Sequence, residues 1–410
     1  MSKCLLISSD CHAGLPWAQY RAYLEPRYRE TYDRWLPQFQ EVVSGGANVN
    51  DEKGMNPGAR VDVIGAGRRR ALAASDAVKE GGLTGAWDPD VRVRELDREG
   101  VAGEVIFPDA PNRNHPPFGV GFARPRMEVS VELQQAGARA HNRWLAELCA
   151  THPGRHAGLA LIVPEDVEAA VLEVREARRA GLFGGIMLPG LALSADTPEA
   201  FWNHPRYEPL WAACEALDMP VHTHASGPLP NYGDSPGSRW VGAMESYLMA
   251  YRPFWMLLWS GVLERHPGLK FVITEAGGAY VTGMLQQCDY QAEHRNPEAV
   301  RQNIKLRPSE YWARQCFLGA SPPAGRAEVE ARHAIGVRNI LWGSDYPHAE
   351  GSWPWSRERT REMLVGVPEA EARLMLGENA AKVYGFDLAS LRPVVERIGP
   401  EAEELGLAAA

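Results

Sequence analysis

Eight short apolar runs recur along the chain, and amphipathic segments separate them. The runs are CLLIS (4–8), EVIFP (104–108), GLALIV (158–163), GGIML (184–188), PVHTH (220–224), KFVIT (270–274), CFLGA (316–320) and NILWG (339–343). Each is followed by the Gly, Pro, Asp or Ser residues that close strands. Helical spacing fills the gaps between them. The segment 127–154 ends in Pro-Gly, 164–181 opens on acidic residues and stops at Gly, and 204–219 precedes the fifth run. Eight strand–helix units favour a closed parallel (β/α)8 barrel over an open sheet.

Such a barrel needs about 250 residues, and the chain has 410. The surplus is expected as a large insertion after the first strand, about 13–90, and as C-terminal closing helices in 353–387. Residues 1–387 then form a single domain, with 388–410 as a tail whose last ten residues, EAEELGLAAA, are expected to fray. Within the insertion, 17–36 has a helical pattern and GGANVNDEKGMNPGAR (45–60) has the composition of a flexible lid.

Composition narrows the function. The formal net charge of -9 argues against a nucleic-acid binder built on a basic face. No apolar stretch approaches the ~20 residues of a bilayer span, so no membrane association is expected. The N-terminus lacks a signal-peptide pattern. Six cysteines without a C-x-x-C pair indicate free thiols in a reducing cytoplasm.

In a (β/α)8 barrel the functional residues project from the C-terminal ends of the strands. Here four non-adjacent runs end in metal-ligand types. The first ends Ser9-Asp10-Cys11-His12, and strand alternation puts Asp10 and His12 on one face. The fifth ends His222-Thr223-His224, the sixth Thr274-Glu275, and the eighth Ser344-Asp345-Tyr346-Pro347-His348. A solitary histidine is more often structural than a ligand, and a strand-end Asp is often a helix cap. The joint pattern carries the inference. His222 has the alternative of a core histidine, and His348 that of a loop residue orienting substrate. Glu25 and His294 fall on helical or loop segments, where a solvated or structural role is as good a reading.

Asp10-x-His12, His224, HPGLKFVITEAGGAY (266–280) and LWGSDYPHAEG (341–351) resemble the amidohydrolase-2 family, the metal-dependent barrels that include aminocarboxymuconate semialdehyde decarboxylase. The resemblance runs from Lys3 to about Phe386. The chain departs from the commoner family pattern in having Asp10 where His or Glu begins the first motif, and Glu275 where His often follows the sixth strand. Mixed carboxylate and imidazole ligation suits iron or manganese better than zinc, and six or more inward ligands could hold two metals.

SSDCHAG (8–14), YLEPRYR (23–29), HTHASG (222–227) and SDYPHAEG (344–351) further resemble a smaller group on this fold, the non-heme diiron monooxygenases of platensimycin-type diterpenoid biosynthesis. That resemblance implies an enzyme that uses two iron ions, dioxygen and an external electron donor to hydroxylate a CoA-linked terpenoid or acyl substrate. Asp10, His12, His222, His224, Glu275 and Asp345 would carry the metals, with His348, Glu25 and His294 as further candidates. Arg68, Arg69 and Arg70 form a compact basic cluster that could pair with CoA phosphates, although a solvated surface run explains it as simply. The wider resemblance also implies a homodimer.

A second reading stays open: a hydrolase or non-oxidative decarboxylase using one zinc or manganese. Asp10, His12, His224 and Asp345 would then be ligands, with Glu275 or His348 as acid/base. A third is a barrel that binds a small molecule without catalysis. Gly233-Asp234-Ser235-Pro236-Gly237 matches G-x-S-x-G, but Pro236 has no N–H for an oxyanion, so a serine hydrolase is rejected. No P-loop, H-E-x-x-H or G-x-G-x-x-G pattern is present.

Overall fold

The computed structural model describes residues 3–45, 65–109, 114–121, 127–190, 197–225, 232–233, 235–320 and 325–408. Eight parallel strands run in the order β1 to β8: β1 (Ile7–Ala13), β2 (Gly103–Pro108), β3 (His156–Leu161), β4 (Gly185–Met187), β5 (Val221–His224), β6 (Phe271–Thr274), β7 (Cys316–Ala320) and β8 (Ile340–Trp342). Every neighbouring pair in that order is parallel, and helices fill the connections. The fold is the (β/α)8 barrel expected from the eight runs.

The seam between β1 and β8 closes past the end of β8. Asp345 donates its amide to the Asp10 carbonyl at 2.8 Å, His12 donates to the Tyr346 carbonyl at 2.7 Å, and Ser344 donates to Ser8 Oγ at 2.8 Å. The first strand therefore begins later than the CLLIS run. The polar stretch Ser8–His12 stays extended because β2 on one side and the segment after β8 on the other satisfy its backbone.

Strand alternation sorts side chains into two cores. Ile7, Val105, Leu159, Leu161, Met187, Val272 and Leu341 fill the barrel interior with Phe107. A larger apolar layer, including Ile106, Ile186, Val221, Phe271 and Leu318, packs the outer strand faces against the helices. The helix Pro89–Glu99 shows how the sequence sets such elements. Asp88 caps its N-terminus by accepting from the Asp90 and Val91 amides, Pro89 takes the first turn, and Gly100 ends it at φ 78°.

The described part of the insertion is helical. The helix Pro26–Gly45 presents Tyr32 and Trp35 to Phe118, and Trp35 stacks on Phe39 at 4.4 Å between ring centroids. The lid-like segment 45–60 lies, apart from Gly45, outside the described residues. The described residues through Ala408 are packed rather than frayed. The helix Leu388–Ile398 is followed by Leu405, which is fully buried, and Ala408 donates its amide to the Val367 carbonyl at 2.9 Å. The apolar Leu405 and Leu407 give those residues a surface to bury, which outweighs their terminal position.

Candidate metal centre

Side chains from β1, β5 and the segment after β8 meet at the C-terminal mouth of the barrel. The β1–β2 register shifts between Ser8 and Cys11, around Asp10, the kind of irregularity that re-aims a side chain. The Asp10 carboxylate then lies beside His12, with Oδ1 to Nε2 at 3.3 Å. The same His12 Nε2 is 3.2 Å from Asp345 Oδ1, and His224 Nε2 is 3.6 Å from Asp10 Oδ1. His348 Nδ1 stands 3.1 Å from Asp345 Oδ1, and its ring stacks on His12 at 3.9 Å. Glu275 Oε2 approaches His224 Nδ1 at 3.2 Å.

These atoms form three overlapping groups, each compact enough to surround an ion: Asp10–His12–His224, His12–Asp345–His348 and Glu275–Asp345–Glu350. The first two are entirely buried. Among the described residues Asp345 Oδ1 has only the His12 and His348 ring nitrogens beside it, neither in good hydrogen-bond geometry, and Oδ2 accepts no hydrogen bond. A fully buried carboxylate in that state costs several kcal/mol unless a cation sits against it. Oxygen and imidazole nitrogen donors together fit a divalent ion such as manganese or zinc.

The electrostatics agree with a site built for positive charge. Burial opposes ionisation of Asp10, yet His224 and His12 hold its carboxyl far below the usual range. Burial also works against the His12 imidazolium, but Asp10 and Asp345 outweigh it and push its pKa up to about 10. Glu275 moves the other way: burial first, then the Asp345, Asp10 and Glu350 charges, raise its pKa well above the carboxylate range.

Backbone strain marks the same mouth. Among the described residues five non-glycine positions have positive φ, and three of them are acids just past the ends of β2, β6 and β8: Asp109 (77°), Glu275 (56°) and Asp345 (58°). Such conformations cost about 1–3 kcal/mol each and persist where the surrounding structure enforces them. The Tyr251 hydroxyl donates to the Gly277 carbonyl and so secures the turn that carries Glu275.

Not every expected ligand joins the cluster. His222 faces the barrel interior, but it sits two residues below His224, a drop of about 6–7 Å along a strand. Its Nε2 lies 3.0 Å from the Gly184 carbonyl and its ring stacks on Tyr384, so it belongs to the core. Burial lowers its pKa to about 3. Glu25 is held outside the barrel by Arg139 at 2.8 Å and Arg143 at 3.3 Å. His294 is the exposed last residue of the helix Ala279–His294 and stacks on Tyr290.

Arg68 is committed to the loop after β8. It donates to the Ala349 carbonyl at 2.7 Å and to the Gly351 carbonyl, and it lies over the Trp355 ring. That use of its guanidinium removes the planar fork that would bind a CoA phosphate. Arg70 is exposed.

Glu350, Asp109 and His115 went unrecognised in the sequence. Glu350 lies inside the SDYPHAEG motif and was legible as a second carboxylate there. Asp109 and His115 face each other at 3.0 Å across a segment with no sequence signal for the pairing.

Fold and site together define a (β/α)8 protein with a buried carboxylate–imidazole cluster of metal-ligand type at its catalytic face. The chain belongs to the amidohydrolase family, whose model matches residues 10–386. It is 29% identical over 319 residues to γ-resorcylate decarboxylase of Rhodococcus jostii (strain RHA1), covering 73% of this chain and 88% of that one. The fold is similar to 5-carboxyvanillate decarboxylase of Sphingomonas paucimobilis, with TM-score 0.61, 20% identity, and 94% and 100% of the two chains covered. It is also similar to dihydroxybenzoic acid decarboxylase of Polaromonas sp. JS666, a structure with bound manganese and the inhibitor 2-nitroresorcinol. That match has TM-score 0.59, 18% identity, and coverage of 95% and 99%.

These findings overturn the diiron monooxygenase expectation. The curated relatives are decarboxylases, and several solved neighbours hold manganese. Two irons, dioxygen, an electron donor and a CoA-linked substrate find no support. The motifs that suggested them, around Asp10, His224 and Asp345, are the parts of the chain that build the carboxylate–imidazole cluster at the barrel mouth. Among the described residues no helix is long and apolar enough to cross a membrane.

Proposed function

We propose that this chain is a non-oxidative decarboxylase of a small hydroxylated aromatic carboxylate, dependent on one manganese or zinc ion. The carrying observation is the pair of buried ligand-type groups, Asp10–His12–His224 and His12–Asp345–His348, that share His12 at the barrel mouth. The similarity to γ-resorcylate and carboxyvanillate decarboxylases supplies the substrate class.

Asp10, His12, His224 and Asp345 would hold the ion. When bound, it supplies a Lewis acid to the oxygen atoms of the substrate. His348 packs flat on His12 and braces that ring against rotation. Burial of Asp10, His12 and Asp345 keeps bulk water from these groups. Decarboxylation adds a proton to the ring carbon bearing the carboxylate, after which the carbon–carbon bond electrons return to the ring and carbon dioxide leaves. Glu275, whose side chain is 17% exposed, lies at the open side of the cluster where a proton can be passed to substrate. His348 is the second group placed to hold that proton. Six free cysteines, all buried, fit a reducing cytoplasm.

The test is anaerobic incubation of manganese-loaded protein with 2,6-dihydroxybenzoate (γ-resorcylate) and with 5-carboxyvanillate. Release of carbon dioxide from either, dependent on the metal, supports the proposal. Absence of release from hydroxylated aromatic acids, with full metal occupancy, counts against it.

A further inference from the structure

Of the three acids with left-handed backbone at the barrel mouth, Glu275 and Asp345 belong to the metal cluster. The third, Asp109, does not, although it is built into the same rim. Its backbone pairs with Ala13, the residue after His12. Asn114 and His115 lie against the end of β1. The Asn114 side chain donates to the Gly14 carbonyl at 2.8 Å, and Gly14 is so close that a Cβ there would lie 2.2 Å from the Asn114 carbonyl oxygen. Only glycine admits that approach.

This close packing delivers His115 to the rim. Its Nδ1 lies 3.0 Å from Asp109 Oδ1, its ring lies nearly parallel to Trp17 at 6.3 Å, and Phe39 meets it edge-on at 6.0 Å. His115 and Asp109 retain 26% and 27% side-chain exposure, so the pair faces an accessible space rather than the core. Burial opposes ionisation of Asp109, but His115, and beyond it His348 and His12, hold its carboxyl below the usual range. Asp109 therefore stands in the field of the metal-centre histidines. A strained acid that fixes an imidazole beside an aromatic wall is an arrangement for orienting a hydrogen-bonding group toward a flat ligand.

We infer that His115, oriented by Asp109, recognises a second ring oxygen of the substrate. The ligand class is an aromatic carboxylate with a second hydroxyl on the side of the ring away from the oxygens that would face Asp10, His12 and Asp345. Asp109 is a positioning residue that holds the ring of His115 in place. This inference rests on the decarboxylase reading.

Manganese-loaded wild type, His115→Phe and His115→Gln are compared on 2,6-dihydroxybenzoate and 2-hydroxybenzoate, which differ by one hydroxyl. His115→Phe keeps the stack on Trp17 and removes the hydrogen bond. The expected result is a loss of about tenfold to a hundredfold in kcat/KM on the dihydroxy acid. The loss on the monohydroxy acid is much smaller, and manganese content is unchanged. His115→Gln, with an amide near the Nε2 position, recovers part of the preference. Asp109→Asn raises KM for the dihydroxy acid more than it lowers kcat. Equal losses on both acids, or no loss, would overturn the inference while leaving the decarboxylase reading intact. Failure of metal-loaded wild type to bind or turn over either acid overturns both.

Discussion

The amide of Asp345 donates to the carbonyl of Asp10 at 2.8 Å, so the two carboxylates that flank His12 are carried by directly bonded backbones. Residues 335 positions apart in sequence are thereby fixed at the one place where the barrel closes. Closing the seam and assembling the candidate metal centre are a single structural event.

Asp345→Ala removes a carboxylate that approaches both His12 and His348. Turnover is expected to fall by about a thousandfold or more, with bound metal reduced in parallel. Metal analysis and steady-state kinetics on the same preparation check this, with circular dichroism verifying the fold. Retention of stoichiometric metal would remove Asp345 from the ligand set.

His222 and His224 separate ligand from core. His224→Ala is expected to lose metal while melting near the wild-type apoprotein. His222→Phe is expected to keep its metal and lose thermal stability, because it gives up the contact with Gly184 and the fitted stack on Tyr384. Metal content and melting temperature of the two variants decide the point. Loss of metal from His222→Phe with an unchanged fold would restore His222 as a ligand.

A buried ion pair underpins the first ligand strand. Arg92 forks onto both Glu104 oxygens at 2.5 and 2.8 Å and donates to the His12 carbonyl at 2.9 Å, while His156 approaches the same Glu104 at 2.8 Å. Arg92→Met strands the Glu104 charge and is expected to cost about 3–5 kcal/mol. The double variant Arg92→Met/Glu104→Gln should recover part of that loss. Urea unfolding of the metal-free proteins measures both, and a single variant as stable as wild type would show that the pair is not needed.

Glu328 gives a pH dependence away from the metal cluster. Burial raises its pKa to about 7, against which the Gly278 amide acts in the opposite sense. The folded state thus binds a proton that the unfolded chain has already lost between about pH 4.5 and 7. Stability from this group falls as pH rises through that window and is flat above it. Glu328→Gln is expected to melt about 1–3 °C above wild type at pH 8, with the advantage shrinking toward pH 5. Melting scans at the two pH values test it; an advantage that grows toward pH 5 has the wrong sign.

The barrel was legible because each strand is a short apolar run bounded by turn residues, and all eight runs overlap observed strands. The exception in boundaries is β1, whose polar stretch Ser8–His12 lies largely beyond the apolar CLLIS run and is extended. Its polar side chains are tolerated because the seam and the cluster satisfy them. Asp10, His12, His224, Glu275, Asp345 and His348 were legible as strand-end acids and histidines. Alternation fixes which face a side chain takes but not its depth, which is why His222 was misplaced. Glu25 and His294 failed because helical residues outside the barrel do not converge on its mouth. The Asp109–His115 pair was hidden, because it depends on how closely Asn114 approaches Gly14 rather than on any spacing.

The most direct test combines metal analysis of purified protein with turnover of 2,6-dihydroxybenzoate under strict exclusion of oxygen. One divalent ion per chain, carbon dioxide released at an undiminished rate without oxygen, and loss of both in Asp10→Ala is the expected outcome. Two irons per chain with substrate consumption that stops when oxygen is removed would contradict it.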